Sequence, residues 1–221
     1  MRALSEPEAK RLMATHGIAV PRGVLLAPAE DPTPRLAGLA APFALKVVAA
    51  GLLHKSDAGG VRLRLPDAAS VVAARDVMAS SPAIARHAVA GFLVEEMAPA
   101  GHELVVGGTR DEKFGPVIML GLGGIFVEVF QDVVFRLCPI RRDEARDMLA
   151  SLRSLPVLRG ARGGAVADED AIVDVLLRVG GAEGLLMRRP DIAELDINPL
   201  IVGAAGAVAA DARILLAEDA A

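Results

Sequence analysis

The strongest constraint in this 221-residue chain lies near its C-terminal end. Glu-Leu-Asp-Ile-Asn-Pro-Leu occupies 194–200, and Asp211 follows within Ala-Ala-Asp-Ala-Arg. In extended backbone, successive side chains alternate faces. Glu194, Asp196 and Asn198 therefore share one face, and Leu195 and Ile197 share the other. Gly203-Ala-Ala-Gly206 reads as a hairpin turn. A hairpin symmetric about that turn sets Asn198 directly opposite Asp211. Such a hairpin would be an antiparallel strand pair backed by an apolar layer, with hard oxygen donors gathered on its other face. Such a pair suits a Mg²⁺ ion held by one or two protein oxygens together with substrate phosphates. Asp and Asn beside a turn also serve plain turn chemistry, so the pair alone leaves both readings open.

Composition narrows the function classes. Apolar residues make up 53% and charged residues 24%, which is a folded globular chain with ample core for one large domain or two small ones. The net charge of −4, without a long basic patch and with no Trp or Tyr to stack bases, gives no reason to expect nucleic acid. The single cysteine, Cys138, excludes an internal disulfide framework and fits a reducing compartment. No signal peptide is read at the N-terminus. The longest apolar run, 117–127, is short, broken by glycines and unable to span a bilayer. A cytoplasmic protein with no membrane partner is expected.

Along the chain, Ser5 and Glu8 form a capping box for a helix that Gly17 ends. Residues 18–42 are proline-rich and irregular, with a short strand at 24–26. Strands are expected at 43–49, 61–65, 117–120 and 133–137. Two more, 92–97 and 103–107, flank a turn at 98–101. Helices are expected from Asp67 through 78, at 142–152 and at 168–187. This interleaving gives α+β layers and not a simple parallel βαβ sheet.

Several segments carry chemistry. Lys46 interrupts the apolar run Phe-Ala-Leu-Lys-Val-Val, and a buried ammonium needs an anionic partner. A phosphate would serve; an edge strand with the amine in water is the plainer alternative. His54-Lys-Ser-Asp-Ala-Gly-Gly follows, where Gly59 and Gly60 allow backbone to approach an anion and Lys55 and Ser56 add donors. An ordinary hairpin loop has the same composition. Glu95 and Glu103 are able to accept from an adenine amine or ribose hydroxyls, or simply to face water. Gly121-Leu-Gly-Gly124 fails the dinucleotide fingerprint, whose third glycine would fall at Phe126. The histidines at 16, 54, 87 and 102 show no metal-ligand spacing.

The order of these signals resembles an ATP-grasp domain. More closely, the runs LKVVAAGLLHKSDAGGV, VEEMAPAGHELVVGGTRDEKFGPVIMLGLGGIFVEVF and ELDINPL…DARI resemble the nucleotide-binding β subunit of ADP-forming acyl-CoA synthetases, relatives of succinyl-CoA synthetase. The resemblance runs from about Leu4 to Leu216. It implies an α+β ATP-grasp fold over 1–221, with an N-terminal segment to about 42 and two lobes over 43–216 enclosing ATP or ADP. It implies the reaction acid + CoA + ATP ⇌ acyl-CoA + ADP + phosphate. By matching position, Lys46 would bind nucleotide phosphates under a loop containing Lys55, Ser56, Gly59 and Gly60. Glu95 to Met97 would form the hinge beside adenine, with Glu103 near the ribose, and Asn198 and Asp211 would hold Mg²⁺. Asp196 would sit next to an incoming phosphohistidine, where succinyl-CoA synthetases place Glu. His54 would be a second phosphoryl carrier. Residues 30–42 depart from the family pattern, being short and without Gly-Tyr-Pro. Since no CoA-binding fingerprint is present, the resemblance implies a CoA-binding α subunit carrying its own phosphorylatable histidine, or a fused equivalent. Two other readings fit an ATP-grasp domain: a carboxylate–amine ligase, and a non-catalytic module of an acyltransferase assembly.

Overall fold

The computed structural model describes residues 1–52, 55–123 and 131–217. Its strands are β1 (Arg2–Ala3), β2 (Gly23–Leu26), β3 (Phe43–Ala49), β4 (Val61–Leu65), β5 (Val89–Glu96), β6 (His102–Asp111), β7 (Gly115–Leu122), β8 (Val133–Leu137), β9 (Ile192–Gly203), β10 (Gly206–Ala209) and β11 (Ala212–Leu216). The longer helices are α1 (Glu6–Thr15), α2 (Ala68–Ser80), α3 (Arg142–Ala150) and α4 (Glu169–Gly180). They divide into a smaller unit, Pro21–Met97, and a larger one that joins Met1–Val20 to the chain from Ala98 onward.

The smaller unit is a four-stranded antiparallel sheet in the order β2-β5-β3-β4. Alternation decides its faces. Phe43, Leu45 and Val47 of β3 join Leu26, Phe92 and Val94 in a core with Val71 and Met78 of α2. The Asp67 carboxylate starts α2 by accepting the Ser70 N–H at 2.7 Å, as its sequence position predicts. The proline-rich stretch conceals a one-turn helix, Thr33–Leu36, with proline in its first turn. Glu96 anchors this stretch by accepting the Ala40 N–H at 2.8 Å and pairing with Arg22 at 3.4 Å.

The larger unit is a seven-stranded antiparallel sheet in the order β1-β11-β9-β6-β7-β8, with β10 also paired to β9. One face buries Leu104, Val106, Ile118, Leu120, Leu195, Ile197, Leu200 and Ile214 against α1, α3 and α4. Helix α4 meets it through Ile172, Leu176 and Val179, the apolar stripe of a 3.6-residue repeat. The capping box at α1 is present: the Glu8 carboxylate accepts the Ser5 N–H at 2.8 Å and its hydroxyl at 2.6 Å.

The strands expected on either side of residues 98–101 are present but fall in different sheets, β5 in the smaller and β6 in the larger. The helix expected through residue 187 stops at Gly180, and Leu185–Arg188 forms a separate turn. Glycines make that break: a side chain at Gly180 would come within 2.9 Å of Cys138 Sγ, and one at Gly184 within 2.7 Å of the Val179 carbonyl. Apolar periodicity alone passes through such a junction unchanged. No helix among the described residues is long and apolar enough to cross a membrane.

Candidate functional site

In the larger unit, β9 pairs with β10 and β11 in one continuous register, Leu200 opposite Ala209 and Ile197 opposite Ala212. Between those pairs, Asn198 N–H donates to the Asp211 carbonyl at 3.3 Å and Ala210 N–H donates to the Pro199 carbonyl at 3.0 Å. Asn198 therefore faces Asp211, as the symmetric hairpin predicts. On its other side β9 bulges: Leu200 and Ile197 oppose Leu104 and Val106, so three steps of β9 match two of β6. The bulge falls at Asn198–Pro199, where a proline that cannot donate to a central ladder is accommodated. Core-facing positions change parity there, from Leu195 and Ile197 to Leu200 and Val202. Asn198 is left exposed and Asp211 partly buried.

Asp196 lies one alternation earlier on the open face. Burial raises its carboxyl pKa; Arg213 opposes the shift, and Glu194 and Asp211 add to it. Arg213 is the β11 residue opposite Asp196 and forms an ion pair with Glu194. Glu194, Asp196 and Arg213 line a cleft of about 300 Å³ with Gly107, Thr109 and Phe135. Sequence reasoning passed over Arg213, although the hairpin register that pairs Asn198 with Asp211 also places Arg213 opposite Asp196. Glu103, on neighbouring β6, is exposed; its carbonyl accepts the Gly123 N–H at 2.6 Å, and a side chain at Gly123 would come within 2.9 Å of that oxygen.

The smaller unit holds the other expected residues. Lys46 is on an interior strand, not an edge, and its ammonium lies 3.0 Å from the Glu95 carboxylate with both side chains buried. The anion that a buried lysine requires is therefore supplied within the chain. Met97 N–H donates to the Pro42 carbonyl at 3.2 Å, tying the end of β5 to the start of β3. Lys55, Ser56, Gly59 and Gly60 form one tight turn, in which Gly60 N–H donates to the Lys55 carbonyl at 2.7 Å and Gly59 N–H to the Ser56 carbonyl at 3.0 Å. Gly59 needs its freedom for a φ of +73°, and a side chain at Gly60 would meet Val47 at 2.5 Å. His54 lies outside the described residues.

Among the described residues, no group of three or more His, Cys, Asp or Glu side chains is placed to hold a metal. The oxygen pair of Asn198 and Asp211 fits a different kind of site, in which a hard cation takes one or two protein oxygens and completes its octahedron with phosphate and water.

The chain matches known proteins over nearly its whole length. The ATP-grasp domain model matches residues 1–216. The β subunit of acetate–CoA ligase (ADP-forming) I from Pyrococcus furiosus is 37% identical over 217 residues, covering 97% of this chain and 92% of that protein. Acetate–CoA ligase (ADP-forming) I from Archaeoglobus fulgidus is 41% identical over 179 residues, 80% of this chain but 26% of that longer protein. An acetyl-coenzyme A synthetase 1 from Ca. Korarchaeum cryptofilum, solved with coenzyme A, Ca-AMPCP and HgCl⁺, superimposes with a TM-score of 0.90 at 36% identity, covering 98% of this chain and 94% of that one. With its mixed helices and sheets and matches across nearly its whole length, the chain belongs to the ATP-grasp family, among the β subunits of ADP-forming acetate–CoA ligases.

Proposed function

We propose that this chain is the nucleotide-binding, phosphoryl-transferring subunit of an ADP-forming acyl-CoA synthetase, acting in acid + CoA + ATP ⇌ acyl-CoA + ADP + phosphate. The observation that carries this reading is the facing of Asn198 and Asp211 beside a half-buried Asp196, in a chain that matches a β subunit over 92% of that subunit's length. In the larger unit, Asn198 and Asp211 hold Mg²⁺, and Glu103 accepts from the ribose. A divalent cation there neutralises charge on the transferring phosphoryl group. In the smaller unit, Lys46 binds nucleotide phosphates while Glu95 holds its ammonium in place. Lys55, Ser56, Gly59 and Gly60 form the phosphate cover, and the chain at Glu95 to Met97 lies beside adenine.

Asp196 receives the imidazole of an incoming histidine. Its carboxylate accepts one ring N–H, which fixes the nitrogen that meets the phosphoryl group and offsets positive charge on the ring. His54 is a second phosphoryl carrier, a role supported by its sequence position between Lys46 and the glycine pair. A carrier histidine lets acyl phosphate form in one site and ADP be phosphorylated in another without release of a reactive intermediate. The partner is a CoA-binding α subunit with its own phosphorylatable histidine, or a fused equivalent. The Archaeoglobus relative, of which this chain spans 26%, supports the fused form. A lone cysteine fits a cytoplasmic location.

Incubation with γ-labelled ATP and Mg²⁺, with and without the α subunit, tests the reading. Label on the chain is expected to be acid-labile, alkali-stable and absent in His54→Ala, and thioester is expected only with the partner. Robust thioester synthesis by the chain alone refutes the subunit assignment. Undiminished synthesis by His54→Ala with the partner removes the carrier role.

A further inference from the structure

The Glu6–Lys10 pair is buried, yet the proposed chemistry gives it no task. The two residues stand one turn apart on α1, with Lys10 Nζ 2.9 Å from Glu6 Oε1 and side chains only 5% and 3% exposed. Withdrawing both charges from water is costly, and an apolar pair of similar volume would fill a core as well. What an apolar pair cannot do is donate a directed hydrogen bond. Lys10 Nζ donates to the carbonyl of Ala210 at 2.7 Å, 200 residues along the chain.

Ala210 and Asp211 form the link between β10 and β11. The Ala210 carbonyl belongs to the peptide that enters Asp211, so fixing it fixes the backbone that aims the Asp211 carboxylate. The same link is held nearby by Ala209 N–H, which donates to the Ala19 carbonyl at 2.8 Å, and by Leu4 N–H, which donates to Ile214 at 2.9 Å. The N-terminal segment thus grips the chain on both sides of Asp211, with Lys10 supplying a charged contact. We propose that the Glu6–Lys10 pair is a positioning device for a divalent cation, holding the Ala210–Asp211 peptide so that Asp211 faces Asn198. The inference rests on the assignment of Asn198 and Asp211 to the cation.

Binding of Mn²⁺ in the presence of ADP, followed by the electron paramagnetic resonance of free Mn²⁺ with the full chain, tests it. Lys10→Met is expected to weaken Mn²⁺ about tenfold, the lower end of what loss of an outer-shell partner costs a metal site. Met13→Ala, which truncates a fully buried neighbour on the same helix, is expected to lower stability without changing the Mn²⁺ constant. In an Asp211→Asn background, Lys10→Met is expected to weaken Mn²⁺ no further, because coupled residues are non-additive. Glu6→Gln loosens the ammonium without removing it; a shift in the same direction is expected, and it keeps the test decisive should Lys10→Met fail to fold. Wild-type Mn²⁺ binding by Lys10→Met alongside weakened binding by Asp211→Asn overturns the positioning role and leaves the cation site standing. An undiminished Lys10→Met effect in the Asp211→Asn background also overturns it. Wild-type binding by both Asp211→Asn and Asn198→Ala sinks the cation assignment and this inference with it.

Discussion

The buried Lys46–Glu95 pair gives the sharpest separation of stability from function. The charged groups are 3.0 Å apart, with side chains 8% and 3% exposed. Lys46→Met removes the ammonium beside the buried Glu95 carboxylate, and removing one partner of a buried pair costs about 3–5 kcal/mol. Set against a total stability of about 5–15 kcal/mol, that is a large fraction of what holds a domain together. Glu95→Gln removes the carboxylate charge beside the ammonium and is expected to cost a similar amount. The double variant Lys46→Met/Glu95→Leu removes both charges and is expected to recover most of the loss, since an apolar pair of similar volume replaces a buried ion pair at little cost. Affinity for Mg-ADP follows a different logic. If Lys46 binds phosphate, the double variant regains stability and not affinity. Urea unfolding must be read by far-UV circular dichroism, because the chain has no Trp or Tyr. Two compact units are able to unfold in separate transitions, so hydrogen exchange at β3 and β5 amides localises the effect. Calorimetry supplies the affinity. A double variant that binds Mg-ADP like wild type would falsify the phosphate role of Lys46 and leave the pair purely structural. Single variants within about 1 kcal/mol of wild type would contradict the desolvation argument itself.

Asp196 supplies a test whose sign is fixed by burial. Its carboxyl titrates above the ordinary value of 3.8, so ionising it costs more in the folded chain than in the unfolded one. The stability linked to it is full below pH 3.8 and is lost as pH rises through the raised folded pKa. Asp196→Asn is therefore expected to raise the urea midpoint at pH 7, to lose that advantage in acid, to spare ADP binding and to slow phosphoryl transfer; an unchanged or lower midpoint at pH 7 contradicts this. Burial also pushes the Cys138 thiol up to about 11. Iodoacetamide is expected to label the native chain slowly at pH 7.5 and quickly in urea, because the thiolate is the nucleophile. Rapid labelling without denaturant overturns that reading.

Where the sequence succeeded, the determinants are local. Ser5 and Glu8 cap α1 because they are three residues apart, and Asp67 caps α2 through its own next turn. The β9–β11 hairpin is likewise legible: one glycine-flanked turn and a period-two pattern fix a register, and the register fixes Asn198 opposite Asp211. The bulge at Asn198–Pro199 is not given by that alternation; the structure places there the proline that a central ladder cannot otherwise hold. What only the tertiary structure decided concerns partners distant in sequence. Strands β5 and β6 read as successive strands, yet alternation carries no information on which sheet receives each strand. Lys46 showed a need for an anion, but an isolated strand is equally consistent with phosphate, water or carboxylate; three-dimensional pairing of β3 with β5 chose Glu95. Lys10 at i+4 from Glu6 reads as an ordinary helical surface pair, worth a few tenths of a kcal/mol. Its burial and its bond to Ala210 exist only because β11 packs on α1, which brings residues 200 apart within 2.7 Å. Local pattern sets which groups an element presents; the energetic meaning of a charge depends on what the fold places around it, because solvation and not sequence spacing sets its cost.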